Sequence, residues 1–80
     1  MSNRARLHLS FPEPLVGRPV IYEAANRFGV VPNIRRANVE ERFGWVILEL
    51  EGRESAITEA VAWLIEQGVQ VDRLSDSLGS

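Results

Sequence analysis

Eighty residues suffice for one small domain, with a core near the lower limit of what folds without staples. Cysteine is absent, which excludes disulfides, zinc–thiolate sites and iron–sulfur clusters, and the charge is nearly balanced at −2, every basic residue being arginine. The arginines are scattered, Arg35-Arg36 being the one adjacent pair, so the basic, aromatic-interleaved stripe of a nucleic-acid platform is missing. No run is apolar and long enough to span a membrane and no secretory leader is visible, so the expected compartment is the cytoplasm.

Ala5, Leu7, Leu9 and Phe11 alternate with Arg4, Arg6, His8 and Ser10, the period of a strand covered on one face. Pro12 and Pro14 end it, and Gly17-Arg18-Pro19 reads as a helix start, because proline is tolerated at the first helical position. The first helix carries Ile21, Ala24, Ala25 and Phe28 at helical spacing and closes at Gly29, which can take the left-handed conformation. A second strand is expected over 31–42, with untidy alternation: Ile34 points opposite to Ala37 and Val39 unless a bulge or a two-sided environment intervenes. Phe43-Gly44 is the expected hairpin tip, followed by a third strand over 45–51 with Val46, Leu48 and Leu50 on one face. Gly52-Arg53-Glu54-Ser55 opens a second helix whose stripe Ile57, Ala60, Val61, Leu64 and Ile65 fits a period of 3.6 and ends at Gly68. Trp63 is expected at its margin. Val69, Val71 and Leu74 mark a fourth strand, which leaves 1–75 as the domain and 76–80 as a flexible tail.

Strand-helix-strand, repeated, favours an α+β fold: a four-stranded antiparallel sheet with both helices on one face, the ferredoxin-like plait. Strands one and three are then central, and two and four are edges. The alternation projects Arg6, His8, Trp45, Ile47 and Glu49 onto the open face, together with Gln70 and Asp72. Trp45 and Ile47, with Arg36 and Val39 of the second strand, are the candidate partner or dimer interface, and a two-fold homodimer is expected.

The segment 28–36, Phe-Gly-Val-Val-Pro-Asn-Ile-Arg-Arg, joins a helix end to a strand start, and Asn33 there offers amide donors and an acceptor at a corner that suits a small polar ligand. Asn33 could equally satisfy backbone groups after Pro32. Arg35 and Arg36 could grip a carboxylate bidentately, although charges that guard an edge strand account for them more simply. His8, the sole histidine, has no cysteine and no carboxylate at ligand spacing, so neither a metal site nor a general base is expected. Glu40, Glu41, Glu49 and Glu51 read as surface charge. No catalytic residues and no cofactor are expected.

The run 23–34 (Glu-Ala-Ala-Asn-Arg-Phe-Gly-Val-Val-Pro-Asn-Ile), the strand through Leu50-Glu51-Gly52, and Ala60-Val61-Ala62-Trp63-Leu64 with Gly68-Val69-Gln70-Val71 resemble the NIL domain. This ACT-like regulatory domain is best known at the C-terminus of the ATPase subunit of bacterial methionine import transporters, and the resemblance covers 6–74. It implies a dimer of ferredoxin-like domains that binds methionine near the subunit interface. It also assigns Asn33 and Ile34 to the naming Asn-Ile-Leu motif, with Arg35 standing where the family has an aliphatic residue. Without lysine the sequence holds no phosphate-binding Gly-rich loop of the Walker type.

Two functions are therefore expected. One is a non-catalytic regulatory domain that binds a small amino acid, methionine among the candidates, at a homodimer interface through Asn33, Ile34 and Arg35, and signals to a partner. The alternative is a ligand-free interaction or assembly adaptor using the open sheet face.

Overall fold

A computed structural model describes residues 3–74. The elements run β1 (Asn3–Pro12), α1 (Glu13–Val16), α2 (Val20–Phe28), β2 (Val31–Val39), β3 (Phe43–Gly52), α3 (Glu54–Gln67) and β4 (Gln70–Arg73). The strands form one antiparallel sheet in the order β2-β3-β1-β4, so the fold is the expected ferredoxin-like βαββαβ plait with α1 added. The expected tail over 76–80 lies outside the described residues.

The sheet buries the face that the alternation marks. Leu7, Leu9 and Phe11 of β1 and Val46, Leu48 and Leu50 of β3 meet Val20 and Ala24 of α2 and Ile57, Ala60 and Leu64 of α3 in one core. Leu48 is 0 % exposed and lies in register between Leu7 and Ile34. Ile65, expected in the α3 stripe, is exposed instead, while Val61 is half-buried. Trp63 meets Phe28 edge-on at 6.1 Å, and the guanidinium groups of Arg18 and Arg27 lie 5.8 and 6.0 Å from its ring centre, which places it at the α2–α3 margin as expected.

Glycine stops both long helices. Gly29 (φ 71°) ends α2 by donating its N–H to the Ala25 carbonyl, and Gly68 (φ 107°) ends α3 with its N–H on the Ile65 carbonyl and the Val69 N–H on that of Leu64. The backbone at these corners needs a left-handed residue, which glycine adopts without a Cβ penalty.

Three local expectations are corrected. Pro14 does not only break a strand: it occupies the first turn of α1, where its missing N–H costs no bond, and Leu15 uses that turn to reach the core. The hairpin tip is not Phe43-Gly44. Glu40 donates its N–H to the Phe43 carbonyl, so the turn is Glu41-Arg42, and β2 ends at Val39 rather than Arg42. Phe43 and Gly44 are held in β3 because β1 extends far enough to pair with both, Pro12 against Phe43 and Phe11 against Gly44. β4 is shorter than expected, although the Leu74 N–H still reaches the Arg6 carbonyl.

The irregularity expected in β2 is a bulge. Ile34 pairs with Leu48 and Arg36 with the adjacent Ile47, leaving Arg35 as the extra residue. That one insertion returns Ile34, Ala37 and Val39 to a common side of the sheet, because residues paired across a ladder share a face.

Candidate functional site

The three residues assigned to ligand binding are adjacent in sequence and apart in space. Asn33 pairs with Glu49 and faces the open side of the sheet; Ile34 pairs with Leu48 and faces the helix side; Arg35 occupies the bulge between them and its successor. All three are exposed, Ile34 by 54 %. They lie on the outer edge strand, and none of them lines the apolar pocket formed by Phe11, Leu15, Val20, Val39 and Gly44.

The open face carries Trp45, Ile47 and Arg36, while Val39, grouped with them on sequence, lies on the helix side opposite Gly44. Trp45 and Ile47 are half-buried by their neighbours. His8 stacks on Trp45 with ring centres 5.8 Å apart and planes 18° from parallel. Around them the register matches opposite charges across strands. Arg6 donates to Glu49 at 3.0 Å, Arg4 stands 3.6 Å from Glu51 and 3.9 Å from Glu49, and His8 Nδ1 lies 3.9 Å from Asp72. The Glu49 side chain is only 14 % exposed beneath its two arginines. Charge on this face is thus largely answered within the chain. Among the described residues, no group of three or more histidine or acidic side chains is placed to hold a metal ion.

On the other side of the sheet, α1, the first turn of α2 and the hairpin end of β2–β3 enclose an apolar pocket of about 150 Å³. Phe11, Gly44 and Val39 run in register across β1, β3 and β2 beneath it. Gly44 is part of the lining, and the three atoms nearest to a Cβ built there would be the Asn38 carbonyl oxygen and two atoms of Val39, at 3.6–3.7 Å. Leu15 and Val20 wall the interior, and Tyr22 and Arg18 stand at the mouth. Arg18 donates to Glu23 at 2.9 and 3.4 Å. That hydrogen bond chiefly raises the Arg18 pKa, against a desolvation cost and with help from the charge of Glu23. Pro19 caps α2 without a side-chain bond, so the N–H groups of Ile21 and Tyr22, which also line the pocket, have no partner within the helix.

Sequence reading missed this pocket because its walls come from four separate segments. Gly44 lines the pocket from within β3, but on sequence it reads as a turn residue after Phe43, so it gave no signal. Val39 belongs both to the pocket wall and to the free edge of the sheet, 62 % exposed.

Comparison with known proteins places these features in context. The family model described as NIL domain matches residues 5–73. A methionine import ATP-binding protein MetN of Histophilus somni is 38 % identical over 63 residues, which is 74 % of this chain and 18 % of that protein. MetN 1 of Bacillus cereus is 35 % identical over 68 residues, 80 % of this chain and 20 % of its own length. The chain therefore spans about a fifth of the length of these curated relatives. Among solved structures, the C-terminal domain of an ABC transporter ATP-binding protein from Enterococcus faecalis superposes with a TM-score of 0.78 at 19 % identity, covering 91 % of this chain and 86 % of that one, a likeness of fold.

Proposed function

The chain belongs to the NIL domain family, and from that premise we propose that it is a non-catalytic regulatory domain that binds a small amino acid with an apolar side chain at a homodimer interface and passes its liganded state to a partner protein. The observation that carries this reading is the apolar pocket beside a free edge strand, with Val39 common to both. At about 150 Å³ the pocket is well below the roughly 300–1,000 Å³ of drug-sized sites, so its occupant is a single side chain and not a nucleotide. The uncapped N–H groups of Ile21 and Tyr22 at its mouth suit the carboxylate of such a ligand. Methionine, whose flexible thioether adapts to an irregular apolar cavity, is the first ligand to test.

Asn33 cannot serve this pocket in its own chain. It lies six positions from Val39 along β2, about 20 Å at strand rise, and on the opposite face. In this proposal Asn33, Ile34 and Arg35 act across the interface, on the ligand of a second copy. Ligand then favours one dimer arrangement over another, and the shift in population is the signal. The role implies a cytoplasmic location; no helix among the described residues is long and apolar enough to cross a membrane.

The adaptor reading has less support. Trp45 and Ile47, the apolar groups it would use, are both half-buried, Trp45 stacked on His8 and Ile47 in register with it. Titration calorimetry with methionine and related amino acids, on the wild type and on Asn33→Ala, tests the sensing reading. Binding that Asn33→Ala weakens is expected; no heat from any amino acid with either protein overturns it.

A further inference from the structure

Arg18 stands at the mouth of the apolar pocket, just before the Pro19 that caps α2, and pairs with Glu23 of that helix's first turn. Residues flanking a helix start at this spacing commonly pack together and fix the entry of the chain, which accounts for the pairing. It does not account for the bonding capacity left over. Arg18 commits Nε–H and one Nη2–H to Glu23, at 3.4 and 2.9 Å. A guanidinium has five such donors, so the second fork, formed by Nη1 and the other Nη2 hydrogen, is unused. The Glu23 carboxylate likewise keeps lone pairs on both oxygens. Among the described residues, neither side chain enters another ion pair. Both are open to a ligand, with 40 and 35 % of their side-chain surface accessible. Trp63 steadies the guanidinium from α3, its ring centre 5.8 Å from Arg18 Cζ, through an attraction that consumes no N–H donor.

We infer that Arg18 and Glu23 are a receptor for the charged head of a free α-amino acid, Arg18 taking the α-carboxylate on its second fork and Glu23 the α-ammonium, while the ligand's side chain fills the pocket. The inference rests on the amino-acid reading above and names the residues that recognise the head group. An α-amino acid carries the same two charges on one carbon, in the opposite sense. Set against the pair, they close a ring of four alternating charges, and each group gains a partner without the Arg18–Glu23 bonds having to break. The unpaired N–H groups at the start of α2 reinforce the polarity, since they too favour the carboxylate. Such a receptor also defines what it refuses. An interior residue of a docking protein has neither charge on its α-carbon, and an amine or an acid with the same side chain has only one.

NMR titration of the full chain with methionine and two analogues tests the assignment. Methioninol keeps the side chain and the ammonium but lacks the carboxylate; γ-methylthiobutyrate keeps the side chain and the carboxylate but lacks the ammonium. Wild type is expected to bind methionine roughly fivefold or more tightly than either analogue. Arg18→Gln is expected to weaken methionine and γ-methylthiobutyrate by roughly the same factor without weakening methioninol. Glu23→Gln is expected to weaken methionine and methioninol without weakening γ-methylthiobutyrate. Unchanged circular dichroism checks the fold of each variant, and the wild-type comparison stands without them. A pair that only fixes the helix entry does not give this crossed pattern. Equal weakening of all three ligands, variants that bind methionine as wild type does, or a wild type that binds an analogue as tightly as methionine each overturns the receptor while leaving amino-acid binding intact. A wild type that binds none of the three overturns the amino-acid reading itself, and the receptor with it.

Discussion

Gly44→Ala separates stability from ligand binding, because the position does two things at once. As a glycine in a strand interior, Gly44 carries a conformational-entropy cost of about 0.5–1 kcal/mol relative to alanine. The added Cβ would lie 3.6–3.7 Å from the Asn38 carbonyl oxygen, Val39 Cα and Val39 Cγ1, ordinary van der Waals separations that require nothing to move. Nor is Gly44 among the glycines with positive φ, so alanine meets no backbone strain. The substitution is therefore expected to stabilise the fold by about 0.5–1 kcal/mol and raise the thermal midpoint by roughly 2–8 °C. The same methyl group stands beneath the apolar pocket and subtracts from its space. Overfilling a fitted cavity costs about 1–3 kcal/mol, so affinity for an amino-acid ligand should fall by roughly 5- to 150-fold. Thermal denaturation followed by circular dichroism reads the first effect, and titration calorimetry with methionine the second. A lower midpoint would refute the placement of Gly44 between Phe11 and Val39. A higher midpoint with unchanged affinity would move the ligand to another site.

Other consequences follow from the same geometry. Leu48→Ala opens a cavity at the centre of the sheet and should cost about 2–5 kcal/mol, a large part of the roughly 4–12 kcal/mol that eighty residues provide; urea unfolding measures it, and a loss below about 1 kcal/mol would contradict its full burial. Gly68→Ala must hold an L side chain at φ 107° and should lose about 1–2 kcal/mol or more in the same assay, although its Cβ would touch nothing closer than Leu15 Cδ1 at 3.5 Å. Deleting Arg35 removes the bulge and leaves Ile34 opposite Leu48 and Arg36 opposite Ile47, so the domain should stay folded within about 1 kcal/mol of wild type; amide exchange along β2 would show whether the pairing survives.

What the sequence made legible, and what it hid, divides by how many neighbours decide a residue's environment. β1 and β3 are central, covered on one face, and their period of two survives to the structure residue by residue. Gly29 and Gly68 announce the helix ends because only glycine takes those angles cheaply. Pro14 misled, since a proline that ends a strand and one that begins a helical turn have the same local restriction, and Leu15 reaching the core decides between them. Gly44 misled for a related reason: a glycine after Phe43 fits a turn by propensity, yet pairing with Phe11 of a distant strand holds it in the sheet. The pocket was invisible because four segments form it, and the periodicity of each reports which face is covered and not where the covering leaves space. The Asn33-Ile34-Arg35 motif was visible as a motif, but its three side chains are distributed over two faces and a bulge, which only the ladder with β3 reveals.

Charged residues on an edge strand ordinarily serve as guards, since unpaired N–H and C=O groups would otherwise recruit any passing strand. That account explains why β2 carries arginines and glutamates, but it is indifferent to their order. A guard works as well with the signs mixed at random, and best with one sign alone, which repels every copy of the chain. Cross-strand matching on the open face shows how this chain treats charges that have an internal partner: Arg4 meets Glu51 and Arg6 meets Glu49 in register.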